Sequence, residues 1–185
     1  MADAGRRYVA LLRAVNVGGH GVVKQTVLKA EFEACGLTDV QTYIQSGNVV
    51  FTSSEMDADG LALKLERHLE ASLGLRTIVF LFTHDQLQEA AAHNPLEPER
   101  LDTEWQCILT FLTDEPDAAR REALMALQGE DYRFHVWEKV LYYSYPRVFV
   151  GRRRTVDFER VLGVKGTGRT WKVVGKLIEM AAPRD

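Results

Sequence analysis

The chain has 185 residues, of which 46% are hydrophobic and 26% charged, a globular composition well away from the low-hydrophobicity, high-charge regime of disorder. At this length a fold buries roughly 70% of the surface its unfolded chain exposes, so it needs neither metal nor disulfide to be stable. The net charge of −3 argues against a general polyanion binder, and no apolar run reaches the ~20 residues of a membrane-spanning helix.

The first seven residues, Met1-Ala2-Asp3-Ala4-Gly5-Arg6-Arg7, carry charges with no apolar core of a signal peptide behind them, so a cytoplasmic location is expected and no membrane partner. Residues 8–15 are an almost continuous apolar run, the pattern of a central strand. Asn16-Val17-Gly18-Gly19-His20-Gly21 breaks it. A helix is expected over 25–35, where Val27, Leu28, Ala30, Phe32 and Ala34 supply apolar positions and Gly36 the stop. Two short strands, 40–45 and 49–52, flank Ser46-Gly47-Asn48, a hairpin signal. Leu61, Leu65, Leu69 and Leu73 recur at helical spacing over 57–73, and 77–82 reads as another strand.

This order, β-α-β-β-α-β, is the split arrangement of ferredoxin-like folds. The second half repeats it in outline: a helix over 84–92, a linker at Asn94-Pro95-Leu96-Glu97-Pro98, a strand over 105–112, a helix over 116–127, and a strand pair, 132–137 and 140–145, across Glu138-Lys139. Helices over 156–162 and 170–181 finish the chain, with no evident last strand for this half. The expected architecture is α+β, two ferredoxin-like subdomains, 1–82 and 83–185, the second incomplete or modified. Charge is divided along the chain: acidic side chains dominate 85–131, basic ones 147–176. Such asymmetry marks either an anion-binding face or two complementary surfaces. Cys35 and Cys107 lie among apolar residues and read as buried thiols.

In a split β-α-β-β-α-β sheet the third strand lies between the first two and runs antiparallel to both. The end of the first strand, near Asn16, then lies beside the turn Gln45-Ser46-Gly47-Asn48. Two polar, glycine-bearing loops would meet on one rim at a helix N-terminus, where Gly18 and Gly19 permit close backbone approach and free N–H groups attract anions. Asn16, Gln45, Ser46 and Asn48 can all donate and accept hydrogen bonds there. The alternative is that Asn16 and Asn48 only cap each other's loops. Arg13, a charge at the end of an apolar strand, requires an ionic partner or a ligand.

Two segments carry a family resemblance: Leu12-Arg13-Ala14-Val15-Asn16-Val17-Gly18-Gly19, and Thr42-Tyr43-Ile44-Gln45-Ser46-Gly47-Asn48-Val49-Val50-Phe51. Together they resemble the signatures of the domain-of-unknown-function 1697 family, with Ala14 where the family usually has glycine. Asn94-Pro95, Tyr145-Pro146 and Arg169 with Trp171 are weaker echoes. The family usually reads Thr-Arg-Asn-Trp at the last helix, where this chain has Gly168-Arg169-Thr170-Trp171. The resemblance implies two ferredoxin-like subdomains and no activity.

No metal-ligand spacing occurs among His20, His68, His84, His93 and His135, no nucleophile elbow is present, and no cofactor is expected. His20, in the glycine loop, is the histidine placed to transfer a proton. Lys165-Gly166-Thr167-Gly168-Arg169, before the last helix, offers cations, glycines and a hydroxyl suited to phosphate, and Trp171 could stack on a base or fill the core. The expected function is binding of a small anionic or phosphorylated ligand, or single-stranded nucleic acid, by Arg13, Asn16, Gly18, Gly19, Gln45, Ser46, Gly47, Asn48, Lys165, Arg169 and Trp171. An enzyme using Asn16, His20 and Ser46, and a protein-interaction or homodimer module, are the alternatives.

Overall fold

The computed structural model describes residues 5–16, 22–96, 104–149 and 156–183. The chain divides into two compact units, Met1–Gln88 with Lys176–Asp185, and Glu89–Gly175. Each contains a four-stranded antiparallel sheet, and six α-helices accompany them among the described residues. The class is mixed α+β.

In the first unit β1 (Arg6–Leu12), β2 (Thr38–Tyr43), β3 (Asn48–Ser53) and β4 (Val79–Thr83) lie in the order β2-β3-β1-β4. α1 (Gln25–Ala34) and α2 (Ala58–Leu73) lie between β1 and β2 and between β3 and β4 in the chain. Their inward stripes, Leu28 and Phe32 from α1 and Leu61, Leu65 and Leu69 from α2, close on alternate strand residues Tyr8, Ala10, Leu12, Val49 and Phe51. Period 3.6 meets period 2, which is why the leucine spacing of α2 was readable in the sequence. Asp57 caps α2 by accepting from Gly60 N, and left-handed Gly74 ends it.

The second unit holds β5 (Trp105–Leu112), β6 (Arg133–Trp137), β7 (Val140–Pro146) and β8 (Gly166–Thr170) in the order β6-β7-β5-β8. α4 (Ala118–Met125) and α5 (Phe158–Leu162) take the places of α1 and α2, with Leu124, Leu162, Phe134, Leu141 and Leu112 at their core. α3 (His84–Ala92) follows β4 directly, and α6 (Trp171–Ala181) follows β8 directly.

The expectation that the second half lacks a last strand is corrected by β8. Gly166-Thr167-Gly168-Arg169-Thr170 reads as a loop because it has no apolar alternation. Its strand conformation is set instead by antiparallel pairing with β5, Leu112 to Gly166 through Ile108 to Thr170. Small residues are required there, since a Cβ on Gly166 would lie 2.8 Å from Thr110 Cγ2.

The two sheets also correspond residue by residue. Leu12 pairs with Val79 and Ala10 with Leu81, as Leu112 pairs with Gly166 and Thr110 with Gly168. Tyr8 pairs with Phe51 and Leu11 with Asn48, as Ile108 pairs with Tyr143 and Phe111 with Val140. Leu12 N donates to Gly47 O at 2.8 Å, and Leu112 N to Lys139 O at 2.8 Å. The repeat is one of backbone register rather than of residue identity.

Candidate functional site

The rim forms where strand order requires it. Asn16 Nδ2 donates to Gln45 O at 2.7 Å and to Val23 O at 3.0 Å, while its Oδ1 accepts from Val23 N at 2.7 Å. One side chain thus ties the end of the β1 loop, the approach to α1 and the β2–β3 turn together. Asn48, 1% exposed, donates from Nδ2 to Tyr43 O at 2.9 Å and to Ser46 Oγ at 2.8 Å. Both asparagines therefore brace backbone, as the capping alternative anticipates.

The turn is also strained. Ala14, Asn16 and Ile44 have φ of 57°, 59° and 47°, and for β-branched Ile44 this region is an outlier. Gly47, at φ +70°, lies so close to β1 that a Cβ would sit 2.9 Å from Leu12 Cβ and 3.2 Å from Val15 Cβ. Only glycine meets both demands.

Arg13 does not lie within the strand, as the sequence implies. β1 ends at Leu12, and Arg13 occupies the following turn, half-buried. Its N–H donates to Ile78 O at 3.0 Å and its carbonyl accepts from Thr77 Oγ1 at 2.8 Å. Gln45 is exposed and Ser46 half-buried at the tip. Gly18, Gly19 and His20 lie outside the described residues, so the proton-transfer reading of His20 has no geometry.

α1 begins at this rim without a side-chain cap. Lys24 is its N-cap residue, and its first turn has no acidic side chain. Elsewhere Asp57, Asp117 and Asp157 cap α2, α4 and α5, Thr83 Oγ1 accepts from Gln86 N before α3, and Thr170 Oγ1 accepts from Val173 N before α6. The start of α1 is held near the turn by Asn16 through Val23, and Thr42 Oγ1 donates to Gln25 Oε1 at 3.4 Å.

Lys165, Arg169 and Trp171 belong to the second unit. Lys165 is exposed, and its carbonyl accepts from Thr113 N at 2.9 Å. Arg169 is 7% exposed and donates from one guanidinium nitrogen to Thr167 Oγ1 and Gly168 O, both at 2.8 Å. Burial lowers its pKa to about 10, so it is still a cation at neutral pH. Trp171 is half-buried at the first position of α6.

Two of the described histidines, His68 and His93, serve structure. His68 Nε2 lies 2.7 Å from Glu31 Oε2, joining α2 to α1, and His93 stacks on Trp137 with ring centroids 4.0 Å apart. Among the described residues no group of three or more His, Cys, Asp or Glu side chains could hold a metal ion, and none of their helices is long and apolar enough to cross a membrane.

Fold and rim together define a two-unit α+β protein whose first unit carries a braced, polar, glycine-tipped turn beside an uncapped helix. The family described as "Protein of unknown function (DUF1697)" matches residues 6–142, and the chain belongs to it. A solved structure, that of the conserved bacterial protein SP0830 from Streptococcus pneumoniae, is similar to 97% of this chain and 100% of its own, with 24% identity and a TM-score of 0.75; that likeness is one of fold. No curated protein sequence matches the chain significantly.

Proposed function

We propose that the protein binds a small anionic, phosphorylated ligand at the rim formed by Asn16, Gln45, Ser46, Gly47 and Asn48. The observation that carries this reading is the start of α1. Alone among the described α-helices, it has no side-chain cap, and its N-cap residue is a lysine. Its first N–H groups and its positive dipole end suit an anion. Ser46 and Gln45 supply neutral donors, and Asn16 and Asn48 hold the frame rather than the ligand. Gly18 and Gly19 belong to the same reading, as the sequence between Asn16 and the helix. Arg169, already bonded to its own strand, has no part in it.

The finer assignment of both halves as ferredoxin-like subdomains belongs to this reading, supported by the strand orders β2-β3-β1-β4 and β6-β7-β5-β8. So does a cytoplasmic location, supported by Cys35 and Cys107, neither of them in a disulfide.

The test is a thermal-shift and calorimetric screen at low salt against inorganic phosphate, sugar phosphates, nucleotides and short oligonucleotides. A phosphorylated compound should raise the melting temperature, and Lys24→Glu should abolish the gain by placing a negative charge at the helix start. Flat curves across the panel, or undiminished binding by Lys24→Glu, overturn the reading. Binding by oligonucleotides alone would replace the small ligand with single-stranded nucleic acid.

A further inference from the structure

The second sheet carries glycines where the first carries apolar side chains. Register equates Gly166 and Gly168 of β8 with Val79 and Leu81 of β4. Val79 belongs to the first core, and Leu81 packs against it. At the glycine positions there is no side chain, and a cavity of about 470 Å³ lies over the strand, between β5, β7 and the start of α5. That volume is within the range of small-molecule sites.

The same register changes the chemistry of the lining. Thr110 stands where the first unit has Ala10, and Tyr143 where it has Phe51. Thr110 is 9% exposed, and both it and Tyr143 line the cavity. Neither hydroxyl makes a hydrogen bond to a described residue. Both hydroxyls are thus open to bonding by water or a ligand in the cavity. Two hydroxyls at positions that are apolar in the first unit line one space, which makes it a built site rather than a packing defect.

Charge and shape narrow the occupant. Asp157 and Glu159 add carboxylates to the lining, and no Lys, Arg or His is among the lining residues described. Asp157 Oδ1 accepts from Arg160 N and Glu159 Oε1 from Gly166 N, each at 3.1 Å, which fixes both side chains at the cavity. The Phe158 and Tyr143 rings, 4.4 Å apart between centroids, make an aromatic wall continued by Val156 and Val164. Carboxylates and hydroxyls accept hydrogen bonds, an ammonium group only donates them, and ring faces attract cations. We propose that this cavity binds a small organic ammonium ion with an apolar body, its N–H groups donating to Thr110, Tyr143 and the two carboxylates.

The proposal is independent of the rim. Its test is calorimetry and thermal shift on the full chain with phenethylamine, tyramine and 1,4-diaminobutane as probes, and with 2-phenylethanol and inorganic phosphate as controls. At least one amine should bind with a dissociation constant of ~1 mM or tighter, and 2-phenylethanol at least about tenfold more weakly. Thr110→Val and Tyr143→Phe remove one acceptor each and should each weaken that amine about tenfold. Far-UV circular dichroism checks folding, and Tyr143→Phe serves if Thr110→Val does not fold. Lys24→Glu should leave amine binding unchanged, which separates this outcome from failure at the rim. Absence of binding by all three amines, equal affinity for 2-phenylethanol, or undiminished binding by both hydroxyl variants overturns the proposal.

Discussion

The two hairpin tips occupy the same position in their sheets and are built differently. In the second unit Glu138 and Lys139 alone connect β6 to β7; in the first, Ile44, Gln45, Ser46 and Gly47 connect β2 to β3. Both start with a left-handed residue, Ile44 at φ 47° and Glu138 at φ 46°, and both end on the carbonyl that accepts from the last residue of the central strand. The first tip therefore inserts Gln45 and Ser46 into a frame that closes without them. Beneath it, buried Asn48 stands where the second unit has Val140. A longer turn and a buried amide are not needed to form this sheet, and that excess directs attention to the rim.

The largest expected effect comes from testing whether the tip tolerates a side chain. Gly47→Val imposes a left-handed β-branched residue and drives Cβ against Leu12 and Val15. Strain and overpacking together should cost about 3 kcal/mol in urea denaturation. Lys139→Val, at the matching place in the other unit, should cost less than about 0.5 kcal/mol. Equal losses would show that the two tips are mechanically the same.

Asn16→Ala comes next. It removes one acceptor and two donated bonds, and a loss of about 2 kcal/mol is expected at the usual net value of such bonds in partly exposed places. Asn48→Val copies the second unit into the first. It leaves Tyr43 O without its amide partner and should cost about 1 to 2 kcal/mol. A neutral or stabilising result would mean that the amide is held for ligand recognition and not for stability.

Much of the fold was legible because it follows from side-chain periodicity. The helix over 84–92 and the strand over 105–112 coincide with α3 and β5, and the leucines of α2 marked its buried face. The meeting of Asn16 with the 45–48 turn followed from strand order alone. β8 was not legible, because Gly166 and Gly168 are chosen by contact with β5 and leave no hydrophobic pattern. The start of β2 was missed for a related reason: Thr38 pairs with Thr52, but a register shift precedes Gln41 and Asp39 has φ 49°. The cavity of the second unit was hidden as well. A trace of it in the sequence is the alternation of Gly166 and Gly168, which at period two places both on one face of a strand.

The second unit also differs in carrying Tyr142 and Tyr143 where the first has Val50 and Phe51. Burial raises both phenols above their ordinary pKa, and Tyr142 donates to Ala90 O at 2.7 Å. A raised folded-state pKa means stability that is complete below the unfolded value of about 10 and is lost as pH climbs through the folded one. Hydrogen exchange above pH 10 should therefore report loosening of β7 before β3, once corrected for intrinsic rates. Tyr142→Phe together with Tyr143→Phe should remove the difference.

The smallest effect tests the repeat itself. Thr83 and Thr170 are the last residues of β4 and β8, paired with Tyr8 and Ile108 at equivalent places. Each accepts from the backbone N–H three residues on, at 3.3 Å from Gln86 and 3.4 Å from Val173. If the strand-to-helix junction is one device used twice, Thr83→Ala and Thr170→Ala should each cost about 1 kcal/mol, the usual value of a lost N-cap. Gln86 Oε1 accepts from Thr83 N at 2.8 Å, completing a reciprocal cap; Thr170→Ala should therefore fray its helix further than Thr83→Ala frays α3. Local exchange rates at the first turn of each helix measure that difference, and identical fraying would remove the distinction between the two junctions.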